Sequence, residues 1–268
     1  MTKGFPSKFD LLHTGEEFLR SKSIEAIVAN EDLSEHAAMI ESVMDLLNAY
    51  IVGQPTAKDA AELAIKCLGI RQANAIASAL KLVLSGYYQN AALIERDLLE
   101  TVFLVQYFKL NPAMISVWLN CEESKRNQQF GAVIIRRALD DKDGFKERKR
   151  EAAYKLLCNL GGHASPQGFR MLTPIAGGDA HFGPFFEQTS LVAVLSELAK
   201  IAVEIGSSFN GLFKATNTSE REIKISFFET SGKWFERFFG KAYDPAPVED
   251  LKAILAKLGD LTNPDLKP

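Results

Sequence analysis

Apolar side chains recur along most of this chain every three or four residues, the spacing that places them on one face of an α-helix. The pattern breaks at Gly53 and Pro55, at Gly86, and at Asn111 with Pro112. Glycine ends helices readily and proline fits the first helical turn, so these residues separate neighbouring helices. The predicted helices are residues 32–50, 56–84 (with an end or a kink at Gly69), 87–109, 113–139, 145–160, 185–213, 218–239 and 248–258.

Residues that favour helix starts stand at the head of several of these segments. Serine, threonine, aspartate and asparagine accept a hydrogen bond from a backbone N–H of the first turn, and a following acidic residue can return the contact. The expected caps are Asp32 with Glu35, Thr56 with Asp59, and Thr218 or Ser219.

Residues 161–184 are the least helical segment of the chain. They hold six glycines and three prolines, which interrupt any helical pattern. One conformation open to them is a short β-hairpin, with residues 169–175 and 180–182 as its strands. A loop of this length inside a compact domain is often functional.

The overall pattern predicts an all-α fold, a multi-helix bundle around the buried helix 87–109. The 268 residues show no repeat and no linker between zones of different composition, so we expect one domain. Within it, residues 1–54 are expected to form an N-terminal helical extension, residues 56–240 the bundle core, and residues 245–268 a short helix and a frayed tail.

Composition and charge narrow the class of protein. A hydrophobic fraction of 47% and a charged fraction of 24% are ordinary for a globular protein with a real core. The net charge of −3 makes nucleic acid an improbable partner, and a basic stretch at residues 136–150 is nearly neutralised by interleaved acids, as on a solvated face. The chain has no apolar segment long enough to cross a membrane. Its three cysteines are far apart, as expected of a cytoplasmic protein with free thiols.

The helix at 87–109 carries the first candidate site. It is apolar on nearly every side, yet Arg96 and Glu100 stand four residues apart on one face. A covered charge must be paired, because an isolated buried charge is costly. The pair has two interpretations: an internal polar cluster that binds a ligand, or a structural ion pair that ties helices together.

His163 is the second candidate, and it follows Gly161 and Gly162 at the end of a predicted helix. The two glycines allow a sharp reversal that would aim the imidazole at the level of Arg96. Histidine titrates near neutrality, so His163 is a candidate general acid or base, with capping of a carbonyl as the alternative. Asp179 and His181 form only a weak metal candidate, and no cofactor motif is present.

Large aromatic side chains crowd residues 227–239 at helical spacing. Such a stripe is usually core, and it also suits the seam of a homodimer, in which aromatic residues act as anchors. The stripe consists of Phe227, Phe228, Trp234, Phe235, Phe238 and Phe239.

Two stretches resemble a family of bacterial all-helical proteins. One runs from Gly86-Tyr87 through an Arg-x-x-x-Glu helix, and the other is a helix with Tyr154 that ends in a His-Ala-Ser-Pro turn. The resemblance covers residues 73–184 and implies that Arg96, Glu100, Tyr154 and His163 form a shared cluster. This family is in turn similar in style to the higher eukaryote and prokaryote nucleotide-binding (HEPN) helical bundles, several of which are ribonucleases.

The resemblance implies no activity of its own, and one departure weakens the nuclease interpretation. HEPN nucleases carry an arginine four to six residues before a histidine, and no arginine of this chain lies at that distance before a histidine. The leading hypothesis is a small polar or phosphorylated ligand bound by Arg96, Glu100, Tyr154 and His163. The alternatives are a HEPN-like ribonuclease or defence effector that uses His163 and Arg96, and a structural homo-oligomeric module.

Overall fold

A computed structural model describes residues 7–53, 56–174 and 178–262, and they form an all-α, multi-helix bundle. Within these ranges no strand is present, and no helix combines the length and apolar character needed to cross a membrane. A π-helical turn, Cys158–Gly162, follows α8, and a 3-10 turn, Arg170–Leu172, follows α9. The helices are α1 Ser7–Val28, α2 Glu31–Gly53, α3 Ala60–Leu84, α4 Tyr88–Leu110, α5 Ala113–Asn120, α6 Glu123–Phe130, α7 Ala132–Asp143, α8 Lys149–Leu157, α9 Pro166–Phe169, α10 Gln188–Asn210, α11 Thr218–Phe239 and α12 Ala246–Thr262.

Helix α4 lies at the centre of the bundle, which confirms the predicted buried central helix. It packs against α3, α7, α8, α10 and the π-helical turn. Leu98, Val102 and Val105 have no exposed surface, and Phe108 is 1% exposed. Neighbouring helices cover nearly every side of α4, and this burial explains why α4 is apolar on nearly every side.

Helix α2 belongs to the same core, although it falls within the residues expected to form an N-terminal extension. It packs against α10, α11 and α3, and Met39, Val43, Leu46 and Leu47 are fully buried. Helix α1, in contrast, leaves most of its large apolar side chains exposed.

Several helix boundaries differ from the predicted ones because of local capping. Asn30 caps α2 through a 3.1 Å bond from the Leu33 amide, and Asn217 caps α11 through a 2.9 Å bond from the Glu220 amide. The predicted helix at 113–139 is divided into α5, α6 and α7, since Cys121 and Gly131 adopt extended conformations with ψ of 151° and 145°.

The β-hairpin considered for residues 169–182 does not form in the part of that segment that the structure describes. Ser165 caps α9 and Pro166 occupies its first turn, so residues 166–172 are helical. One backbone hydrogen bond, from the amide of His181 to the carbonyl of Leu172 at 2.8 Å, joins the two sides of the loop. Residues 175–177 and the C-terminal residues 263–268 lie outside the described residues.

The aromatic stripe of α11 mostly completes the molecule's own core. Trp234 is 1% exposed and donates a 3.1 Å hydrogen bond from Nε1 to Nδ1 of His36 on α2. Phe238 stacks on the same imidazole, with ring centroids 4.1 Å apart. Phe228 and Phe239 remain exposed. The homodimer through this stripe therefore stays a prediction.

We expect the contact between His36 and Trp234 to make the fold sensitive to acid. Burial lowers the pKa of His36 to about 4, and the unfolded chain titrates near 6.5. Between these values the unfolded state binds more protons, so stability is lost as pH falls from about 6.5 towards 4, by on the order of 2 kcal/mol.

His36→Asn keeps an acceptor near the position of Nδ1 and does not titrate. Urea unfolding at pH 7 and pH 5 should therefore show a smaller loss of free energy of unfolding in this variant than in the wild type. Equal losses would mean that His36 titrates normally in the fold.

Candidate functional site

Arg96, Glu100 and Tyr154 meet in one hydrogen-bonded cluster between α4 and α8. Arg96 Nη2 donates to Glu100 Oε1 at 3.0 Å and to the Tyr154 hydroxyl at 2.8 Å, and Nε reaches the same hydroxyl at 3.2 Å. The Tyr154 hydroxyl donates to Glu100 Oε1 at 2.5 Å. The Arg96 and Glu100 side chains are 25% and 29% exposed, so the cluster lies at the surface rather than sealed inside.

Protonation in this cluster is strongly biased. Burial, followed by the hydrogen bond to Glu100, raises the pKa of Tyr154, so its hydroxyl stays a proton donor at neutral pH. The hydrogen bond to Tyr154 and the charge of Glu100 raise the pKa of Arg96, which keeps its guanidinium charged. Nη1 of Arg96 makes no hydrogen bond to the described part of the chain.

The π-helical turn holds this arrangement against α4 through two glycines. A Cβ on Gly161 would lie 2.6 Å from the amide nitrogen of Leu93 and 2.7 Å from the carbonyl oxygen of Gln89. A Cβ on Gly162 would lie 2.9 Å from Cδ of Arg96. At Gly161 only glycine permits this approach of the two backbones, and at Gly162 it leaves room for the Arg96 side chain.

His163 begins directly after this turn but does not join the cluster by a hydrogen bond. Its backbone amide donates to the carbonyl of Cys158 at 3.0 Å, and the residue is exposed. The glycines thus place His163 next to the backbone that covers Arg96, with its side chain on the surface.

Arg136 of α7 is a member of the site that the sequence analysis missed. Its guanidinium lies 3.9 Å from the centre of the Tyr154 ring, and that of Arg96 lies 5.2 Å from it. Arg136 is only 5% exposed, and its Nε and Nη1 atoms are buried with no hydrogen-bond partner among the described residues. The sequence contained a signal, because Arg136 shares the helical face of the apolar residues Ile135 and Leu139.

The basic stretch at 136–150, expected to be a solvated face, is partly buried. Arg150 of α8 donates to Asp140 of α7 at 2.7 Å and also pairs with Asp143. Asp140 is 6% exposed. Because Asp140 lies one turn after Arg136, this ion-pair network continues the polar layer between α7, α8 and α4. The acids of the network are already satisfied by Arg150, and they form no ion pair with Arg136.

The weak metal candidate is not assembled. Asp179 and His181 are both exposed, and the ring of His181 packs edge-on against Phe185 at 5.7 Å. Nowhere among residues 7–53, 56–174 and 178–262 do three or more His, Cys, Asp or Glu side chains gather as metal ligands would.

We found no match between this chain and any protein-family model, curated protein or solved structure. The function therefore has to be inferred from the site itself, which offers two guanidinium groups against one tyrosine ring, a single paired carboxylate and a histidine at the surface.

Proposed function

We propose that this protein binds a small phosphorylated ligand where α4, α7, α8 and the turn before His163 meet. In this proposal Arg96 and Arg136 hold the phosphate, the Tyr154 hydroxyl and Glu100 orient Arg96, and His163 contacts an outer part of the ligand. Guanidinium groups suit this role, because their planar N–H donors match phosphate oxygens and keep their charge at any physiological pH.

The observation that carries the proposal is the buried guanidinium of Arg136, which has no ion-pair partner in the described part of the chain. The group that stabilises this charge most closely is the π-face of the Tyr154 ring. The carboxylate of Glu151 contributes little, because the pKa of Glu151 is lowered mainly by Lys155 and least by Arg136. Burying a charge without a hydrogen-bonded partner costs on the order of several kcal/mol. An anionic ligand would supply the missing partner. A shift of the Tyr154 ring would expose the Arg136 guanidinium to this ligand.

Arg136→Met tests this site, and Arg137→Met, on the exposed side of the same helix, is its matched control. We expect calorimetric titration with AMP and with pyrophosphate to show at least about tenfold weaker binding in Arg136→Met and unchanged binding in Arg137→Met. Urea unfolding without ligand should show an equal or higher free energy of unfolding in Arg136→Met, because methionine replaces a poorly compensated charge.

The opposite outcome would assign Arg136 to the fold alone. If neither ligand binds at millimolar concentration, and Arg136→Met lowers the free energy of unfolding, the stacking on Tyr154 is structural. The structural homo-oligomer would then be the better proposal, and sedimentation of the full chain would test it.

A HEPN-like ribonuclease remains the enzymatic alternative, supported by the position of His163 beside the backbone that covers Arg96. Incubation with RNA distinguishes it, since cleavage lost in both His163→Ala and Arg96→Met would identify an acid–base histidine and an anion-stabilising arginine.

We also propose a cytosolic setting, supported by Cys67, Cys121 and Cys158, all of which are free thiols.

A further inference from the structure

A second cleft lies beside the start of α5, and none of its lining residues belongs to the Arg136 site. It has a volume of about 440 Å³ and is bordered by the start of α3, the end of α2 and the segment between α10 and α11. Ile65, Ile115 and Leu212 form its apolar part. A cleft of this size with an apolar wall and a few polar groups is typical of sites for small molecules.

Tyr50 supplies a hydroxyl group that has no hydrogen-bond partner among the described residues. The residue is 7% exposed, and its ring packs in the core against Phe209 and Phe213, at 5.3 Å and 6.2 Å between centroids. Tyr50 lines the cleft, and its hydroxyl makes no hydrogen bond with the described part of the chain. Burial and, less strongly, the Glu62 carboxylate raise the pKa of Tyr50, so the hydroxyl is a donor at neutral pH.

Positive charge exceeds negative charge around the cleft. Lys58, Lys66 and Lys214 line it, together with only two carboxylates, Asp59 and Glu62. Both carboxylates are already occupied by backbone amides: Asp59 accepts from Glu62 at 2.8 Å, and Glu62 accepts from Lys58 at 2.8 Å. Neither Lys58 nor Lys66 forms an ion pair with any residue in the described ranges. The lining thus carries three lysines against two carboxylates, one more positive than negative charge, beside the Tyr50 hydroxyl.

We propose that this cleft binds a small organic molecule with one carboxylate and an apolar body. The Tyr50 hydroxyl donates to the carboxylate, Lys66 and Lys58 compensate its charge, and the apolar body lies against Ile65, Ile115 and Leu212. A monoanion fits the single excess charge, and hydrogen bonds to a charged acceptor are stronger than neutral ones.

Calorimetric titration of the full chain with 1-naphthoate tests the site. We expect saturable binding of one molecule per chain, about tenfold weaker in Tyr50→Phe, which removes one oxygen atom, and about threefold to tenfold weaker in Lys66→Met. The matched control is Lys81→Met, an exposed lysine on the same helix, which should bind as the wild type does. The uncharged 1-naphthamide should bind at least about tenfold more weakly than the carboxylate.

Three results would overturn the proposal. These are no saturable binding at millimolar concentration, equal affinity for 1-naphthamide and 1-naphthoate, and loss of binding in Arg136→Met, which would place the ligand at the other site. Urea unfolding of Tyr50→Phe and Lys66→Met checks that a loss of affinity is not a loss of fold. Because Arg136→Met is expected to leave 1-naphthoate binding unchanged, this cleft and the phosphate site can fail independently.

Discussion

Glu95→Gln is expected to raise the free energy of unfolding at pH 8 by about 2 kcal/mol. Glu95 lies on α4 towards α10 and is 1% exposed, and its buried Oε1 atom has no hydrogen-bond partner within the ranges that the structure describes. Burial, and then the charge of Glu197, raise the pKa of Glu95 well above its usual value. The fold therefore holds this carboxyl in its neutral form, and glutamine has nearly the same shape without the proton.

The sign of the pH dependence follows from the raised pKa. Above about pH 4.5 the unfolded chain releases the Glu95 proton, whereas the folded chain keeps it until the pH reaches the raised value. The folded state then binds more protons, so wild-type stability falls as pH rises through this window. The advantage of Glu95→Gln should accordingly be small at pH 4 and grow towards pH 8.

Urea unfolding at pH 4, 6 and 8 measures this difference, with Glu41→Gln as the control on the exposed side of α2. The control should match the wild type at each pH. A difference between Glu95→Gln and the wild type that stays the same at all three pH values would show that the pKa of Glu95 is not raised in the fold.

Gly161→Ala should have the largest effect on the site, because the added methyl group would collide with backbone atoms. Its Cβ would lie 2.6 Å from the Leu93 nitrogen and 2.7 Å from the Gln89 oxygen, and neither can move without shifting α4. We expect a loss of about 3 kcal/mol or more in free energy of unfolding, measured in urea.

Gly162→Ala separates stability from function. Its Cβ meets the flexible side chain of Arg96 at 2.9 Å, so we expect a smaller loss of stability and a clear loss of phosphate-ligand binding. Gly15→Ala is the control for adding a methyl group, since no described atom outside its own stretch of helix backbone lies within 4 Å of the added Cβ, and a helical alanine is favoured by about 1 kcal/mol. Equal stability of Gly161→Ala and the wild type would mean that the π-helical turn is not held against α4 as described.

Much of the candidate site was visible in the sequence because its members are local in the chain. Arg96 and Glu100 stand one turn apart on a helix, and Gly161-Gly162 marks a sharp turn before His163. The contact of this pair with Tyr154, 54 residues from Glu100, was implied only by the family resemblance, and no spacing rule predicts it.

Arg136 and Tyr50 show why the rest was missed. Arg136 stood in a stretch of alternating charges, which is typical of a solvated face, and only the packing of α7 and α8 onto α4 buries it. Tyr50 fitted the apolar face of α2, and nothing near it in the chain indicates that Lys66 and Lys214 line the same cleft.

The sequence by itself determined the helical class, the central helix and most helix boundaries, because periodicity, capping and glycine or proline breaks act over a few residues. Tertiary structure alone decided which charges are paired, which are buried without a partner, and where clefts remain between helices. The physical reason is that burial and pairing depend on how the helices pack: Asp140 pairs with Arg150 of α8, whereas Arg136 is buried and pairs with no carboxylate in the described part of the chain.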